Sequence, residues 1–240
     1  MRRKYFIFVL CFLAFICHAG FSISNRSLKA SWKNVPPVPS EAGAVAMAAG
    51  DRELAYRMIG SMMQNLGDSG GNITSLGAYN FERLGQWFFL EDKMDWRSDY
   101  IPLLAAYYFG GTENPGQLDP VIDYLAMVGQ RPYGEKWRWL AHAAYLARFK
   151  QSDLEKAMGL AYILAGMNIA GLPIWASQMP ALIAGAKGDK ETALALMMSV
   201  LQDKSRTLDP TEVNFMIDYI CTRLLDKSEA GQNPFCNIQK

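Results

Sequence analysis

The sequence predicts an all-α protein: antiparallel helix hairpins stacked as a short solenoid behind an N-terminal apolar leader. Three observations carry this. Apolar residues recur at helical spacing, with no sustained strand-like alternation. Helix starts are marked by Asp at the cap followed four residues later by Ala, at Asp51/Ala55, Asp153/Ala157 and Asp189/Ala193. These starts also keep a period, since Asp119 to Asp153 is 34 residues, Asp153 to Asp189 is 36, and Asp51 to Asp119 is 68.

The leader comes first. Arg2, Arg3 and Lys4 precede an uncharged apolar run from Tyr5 to Cys17 and then small residues, the layout of a signal peptide. Cys17-His18-Ala19 offers a cleavage site before Gly20, while Tyr5 to Ile23 is close to the ~20 residues that span a bilayer, so an uncleaved membrane anchor is the competing reading. Both place the remainder outside the cytoplasm, because the basic start stays inside. For a bacterial source this means the periplasm or the periplasmic face of the inner membrane. Residues 25–40, with Pro36, Pro37 and Pro39, read as an extended linker, and packed structure is expected only from about Glu41 in a domain spanning 41–240.

Ten helices follow, at about 42–49, 51–66, 75–91, 98–110, 119–129, 134–149, 152–166, 173–187, 189–202 and 209–226. Asp209-Pro210 with Glu212, and Asp119-Pro120 with a closing Gly129, carry the start and stop chemistry most plainly. LGDSGGN at 66–72 and GGTENPG at 110–116 are loops by composition.

The turn-and-cap segments GDRELAYRM, SDLEKAMGL and GDKETALAL resemble the second helix of the tetratricopeptide repeat, whose turn Gly is followed by a small Ala and then a bulky residue. Gly188, Ala193 and Met197 fit that pattern, as do Gly50, Ala55 and Ile59, with Ser152, Ala157 and Ala161 a looser match. The likeness covers residues 119–226 best and 41–66 weakly, and the segment 75–110 fits no phase. It implies stacked helix pairs with a concave face that binds another protein or a peptide.

Charge and motif content narrow the function classes. The whole chain carries a formal +1, and without the leader's three cations the remainder is −2, with no basic cluster of the kind nucleic acid requires. His142 is the only histidine beyond the leader, too few for a zinc site, and it reads as a structural side chain. Glu91, Asp92, Asp95 and Asp99 cluster around Lys93 and Arg97 and read as a solvated, charge-compensated loop, the alternative being a glycan-hydrolysing acid pair. GDSGGN has neither the preceding strand nor the following Lys of a phosphate-binding loop, and the longer loop at 110–116 is the connection where binding residues are more to be expected than on any helix, with no cofactor and no metal ligand set expected.

Cys221 and Cys236 could pair in an oxidising compartment or remain free. Asn25 and Asn72 head glycosylation tripeptides, relevant only in a eukaryotic secretory source. The aromatics at 87–89, at 107–109, and at 137 and 139 cannot all face inward, because neighbours on a helix differ by ~100°. Trp87, Tyr108, Arg138 and Trp139 are therefore the candidate partner-binding residues. The expectation is a non-enzymatic cell-envelope adaptor or scaffold for a protein or peptide partner. An anchored structural subunit of an inner-membrane complex and, further off, an all-α envelope glycan-acting enzyme are the alternatives.

Overall fold

The computed structural model describes residues 2–24, 34–69, 72–204 and 208–237. The chain divides into two units, Met1–Lys33 and Asn34–Lys240. In the described part of the first, helix α1 (Arg2–Ser24) includes a 20-residue apolar stretch, Tyr5–Ser24, with mean hydropathy 2.4. At ~1.5 Å per residue such a stretch is long enough to cross a membrane, and a signal sequence has the same character.

Among the described residues of the second unit, the regular structure is helical apart from a two-residue antiparallel pairing of β1 (Asp68–Ser69) with β2 (Asn72–Ile73). Its helices are α2 (Glu41–Met47), α3 (Arg52–Gln64), α4 (Phe81–Met94), α5 (Tyr100–Leu103), α6 (Asp119–Gly129), α7 (Trp137–Tyr145), α8 (Leu154–Ala165), α9 (Ile174–Ala186), α10 (Lys190–Lys204), α11 (Pro210–Tyr219) and α12 (Lys227–Gln232). Three of them run on through a π-turn, which inserts an extra residue and rotates the following side chains. These turns are Leu104–Tyr108 after α5, Leu146–Lys150 after α7 and Ile220–Leu224 after α11.

The three repeated starts share one geometry. Gly50, Ser152 and Gly188 have φ of 90°, 57° and 83°. Asp51, Asp153 and Asp189 then accept hydrogen bonds from the amides of Leu54, Lys156 and Thr192. Ala55, Ala157 and Ala193 are buried where a neighbouring helix lies close. Positive φ is the reason for Gly in two of these turns, and Ser152 adopts it against the Cβ clash that Gly avoids.

The ten expected helices correspond to α2 through α11, with four corrections. The helix expected from residue 75 begins only at Phe81, because Asn80 caps it through the Arg83 amide and residues 76–78 form a separate 3-10 turn. Asp119 is not a cap. It lies inside the first turn of α6, and its carboxylate accepts from Gln151 and Lys156 at the start of α8. Of the expected linker, residues 25–33 lie outside the described residues, and residues 34–40 are packed rather than loose: Val35 is fully buried, and its carbonyl and that of Pro36 accept from Arg83 and the Trp87 indole. Finally, the tail forms α12, and Cys221 and Cys236 are joined in a disulfide with Cα atoms 5.7 Å apart.

The core has two parts. The larger runs from Val35 through α2 to α8 and onto one side of α9, where Ala176 and Ile183 sit. The smaller gathers Ala181 and Ala184 of α9 with Ala193, Met197, Met216, Ile220 and Leu224. α9 is thus covered on both sides. It remains helical across Pro180, whose ring nitrogen cannot donate the bond that Ala176 would otherwise receive.

Gly129 closes α6 as expected, but its importance is the lack of a side chain. A Cβ there would lie 2.2 Å from the Leu140 backbone nitrogen, so the α6 and α7 backbones approach each other closely at this point. Gly129→Ala must push α7 away, and denaturant titration should show a loss of about 3 kcal/mol, at the upper end of overpacking costs. An unchanged midpoint would mean the helices are not this close.

Candidate functional site

Two features of the second unit stand out chemically: a partly buried set of acids and cations, and an exposed aromatic face on α7. The first positions the second.

Of the acids expected as a solvated loop, Glu91 and Asp92 are buried, Asp95 is half-buried and Asp99 stays exposed. On α4, Leu84, Phe88 and Glu91 fall at i, i+4 and i+7, so Glu91 occupies the apolar stripe and is fully buried. Neither of its carboxylate oxygens has a hydrogen-bond partner, and burial pushes its pKa up to about 8. Asp92 is also buried and is held by Arg131 in a two-pronged pair, Nη1 to Oδ1 and Nη2 to Oδ2, both 2.6 Å. Asp95 caps the following turn through the Arg97 amide. Asp99 receives Lys136 Nζ at 2.8 Å and the Trp139 indole N–H at 2.7 Å. Burial alone would raise the pKa of Asp99, but these two donors hold it below the usual carboxylate value.

Lys136 itself is buried and also donates to the Ser98 carbonyl at 2.6 Å. Trp96 packs edge-on against Tyr133 with ring centres 5.0 Å apart. The turns at 95–99 and 130–136 are therefore clasped together. The clasp consumes Asp92 and Asp99, and Glu91 is closed to solvent, so this cluster presents no open acid pair.

The four candidate partner-binding residues are not gathered in one groove. Trp87 is buried with its indole N–H on the Pro36 carbonyl, and Trp139 is buried on Asp99. Both are structural in this fold, because each inward-facing indole needs an internal acceptor. Tyr108 and Arg138 are exposed, Arg138 making a 3.2 Å pair with Glu135.

The exposed aromatic face uses other residues. Along α7 and its π-turn, His142, Tyr145 and Phe149 follow at i, i+3 and i+7, and so share one face. Their ring centres are 5.5 Å and 5.0 Å apart in succession, and Tyr107 adds a fourth ring 4.8 Å from His142. Tyr107, Tyr145 and Phe149 remain 65%, 49% and 58% exposed. The Arg148 guanidinium lies 4.6 Å from the centre of the Phe149 ring.

This stripe is flanked by two recesses that share His142 and Tyr145. One, of about 330 Å³, is completed by Tyr107, Gly110, Gly111 and Lys150. The other, of about 340 Å³, is completed by Trp137, Arg138, Trp175 and Met179. His142 Nε2 lies 3.1 Å from the Ala106 carbonyl, which only accepts, so Nε2 carries the proton and Nδ1 is the remaining acceptor. Burial lowers the pKa of His142, which favours the neutral ring. Arg138 is the one sequence candidate that lines this face. The spacing of His142, Tyr145 and Phe149 was the signal for the rest, and a search among consecutive aromatics passes over it.

Among the described residues, no group of three or more His, Cys, Asp or Glu could hold a metal ion. Compared with protein-family models, curated proteins and solved structures, the chain matches none.

Glu91 makes the fold sensitive to pH in a definite direction. Its folded pKa is raised, so between about 4.5 and about 8 the folded chain holds a proton that the unfolded chain releases, and stability falls as pH rises. His142 acts in the opposite sense only below its ordinary value near 6.5. Urea titrations at pH 6.5 and 8 should therefore differ by about 2 kcal/mol, and Glu91→Gln should remove that difference. Equal slopes in the two proteins would show that Glu91 is not the group responsible.

Proposed function

We propose that this chain is a non-enzymatic helical-repeat adaptor of the cell envelope, tetratricopeptide-like in its build, that binds a protein or peptide partner on the α7 face. The observation that carries the reading is the run of four adjacent rings, three of them largely exposed, between two recesses. Large aromatics left partly in water beside a recess are what interface anchors require. The repeated turn, cap and buried Ala at the starts of α3, α8 and α10 supports the repeat reading, and the apolar Tyr5–Ser24 helix supports export. With a cleaved leader the protein resides in the periplasm of a bacterial source, and with a retained one at the periplasmic face of the inner membrane. The retained helix is also what favours the second reading, an anchored structural subunit of a membrane complex. An enzyme acting on glycans through Glu91, Asp92, Asp95 and Asp99 loses support from the sealing of Glu91 and the ion pairs of Asp92 and Asp99.

A photoreactive amino acid at position 145 tests this in the native cell. A discrete protein adduct is expected there, and none at position 58 of α3, which is also exposed but lies away from the face. Equal labelling at both positions, or none at 145, would remove the basis for a partner at this site.

A further inference from the structure

We infer that the α7 face takes an acidic, extended peptide segment of five or six residues that places two apolar side chains in the paired recesses. The inference rests on the reading of this face as a binding surface and adds the chemistry of its occupant.

Length follows from the helix. Arg138 in one recess and Lys150 in the other are twelve residues apart, which is ~18 Å along a helix and corresponds to five or six residues of extended chain at ~3.3 Å each. Two recesses separated by the His142–Tyr145 ridge provide two side-chain subsites. His142 Nδ1 on that ridge is an acceptor of the kind a peptide amide N–H needs.

Charge follows from the lining. The only charged side chains in either recess are Arg138 and Lys150, both cations. Lys150 makes no ion pair among the described residues, nor does Arg148 beside it, which instead lies over Phe149. The helix dipole favours cations at the end of α7 without neutralising them. Arg138 is paired with Glu135, but both are exposed and the pair is readily exchanged for an incoming carboxylate. Acidic groups on the partner therefore meet unpaired cations at the Lys150 end and an exchangeable one at Arg138.

Sugars fit less well. No Asp, Glu, Asn or Gln lines either recess, whereas sugar hydroxyls need both donors and acceptors arranged around them. The chain's own segment 25–33 carries Arg26, Lys29 and Lys33 and no acid, the wrong sign for this surface.

The test is selection from a random displayed peptide library against the full chain in zwitterionic nanodiscs, in parallel with the Arg138→Glu/Lys150→Glu double variant. Both side chains are exposed, so the double variant should melt as the parent does. Enriched peptides should be net acidic with two large apolar residues. They should bind the double variant about tenfold more weakly or worse, lose affinity at high salt, and lose it also to Tyr145→Ala.

Basic or neutral enriched peptides, acidic peptides indifferent to the double variant, or no enrichment would overturn the inference. So would binding of an acidic hexasaccharide in preference to every peptide, or self-association abolished by Tyr145→Ala, which would assign the face to a second copy. A protein adduct at position 145 together with a failed selection would overturn only the acidic-peptide chemistry. No adduct would overturn the partner reading as well.

Discussion

The second unit is organised around one partly buried interaction, the clasp of Lys136 and Arg131 onto Asp99 and Asp92. Each cation sits in the turn between α6 and α7, and each acid lies in or beside the turn between α4 and α5. Removing a charged group from water costs several kcal/mol, and for the buried ions, Lys136 and Asp92, it is tolerated because short, well-directed hydrogen bonds satisfy them. Lys136 is met by a carbonyl and a carboxylate, and Asp99 by an ammonium and an indole. Loss of one member would leave its partner stranded, so the clasp behaves as a unit.

What the clasp determines is the relation between the helix after Asp99 and the helix after Lys136. α5 and its π-turn run beside α7 and its π-turn, with Tyr107 against Trp139 and His142. The close approach of Gly129 to Leu140 sets α7 against α6 on the other side. With α7 held between these contacts, the residues that fit neither neighbour, Tyr145 and Phe149, are left facing solvent. The aromatic face is in this sense a consequence of core packing and of the register change that each π-turn introduces. Its exposed rings are affordable because their neighbours are other rings, which keep part of each surface out of water.

Helix positions were legible in the sequence because their signals are local. Asp51, Asp153, Asp189 and Asp209 cap as their spacing requires, and the positive φ of Gly50 and Gly188 belongs to the turn that precedes a cap. Where a residue's role depends on a distant partner, the sequence misled. Asp119 looks like a cap and is instead bound by α8. Asp92 and Asp99 look solvated among Lys93 and Arg97, but their true partners are about forty positions further on. Trp87 and Trp139 look like surface anchors because their neighbours are aromatic, yet each indole finds a backbone or carboxylate acceptor inside. Glu91 was readable from its place on the Leu84–Phe88 stripe, and the aromatic face from the i, i+3, i+7 spacing in HAAYLARF. Both need helical phase rather than composition.

The central claim is that the clasp positions the aromatic face, and hydrogen exchange followed by NMR in Lys136→Met tests it most directly. The account predicts faster exchange for amides of 100–111 and loss of the ring contact between Tyr107 and His142, with α9, α10 and α11 as protected as before. Loss of protection spread evenly over all helices, or an undisturbed Tyr107–His142 contact, would contradict it.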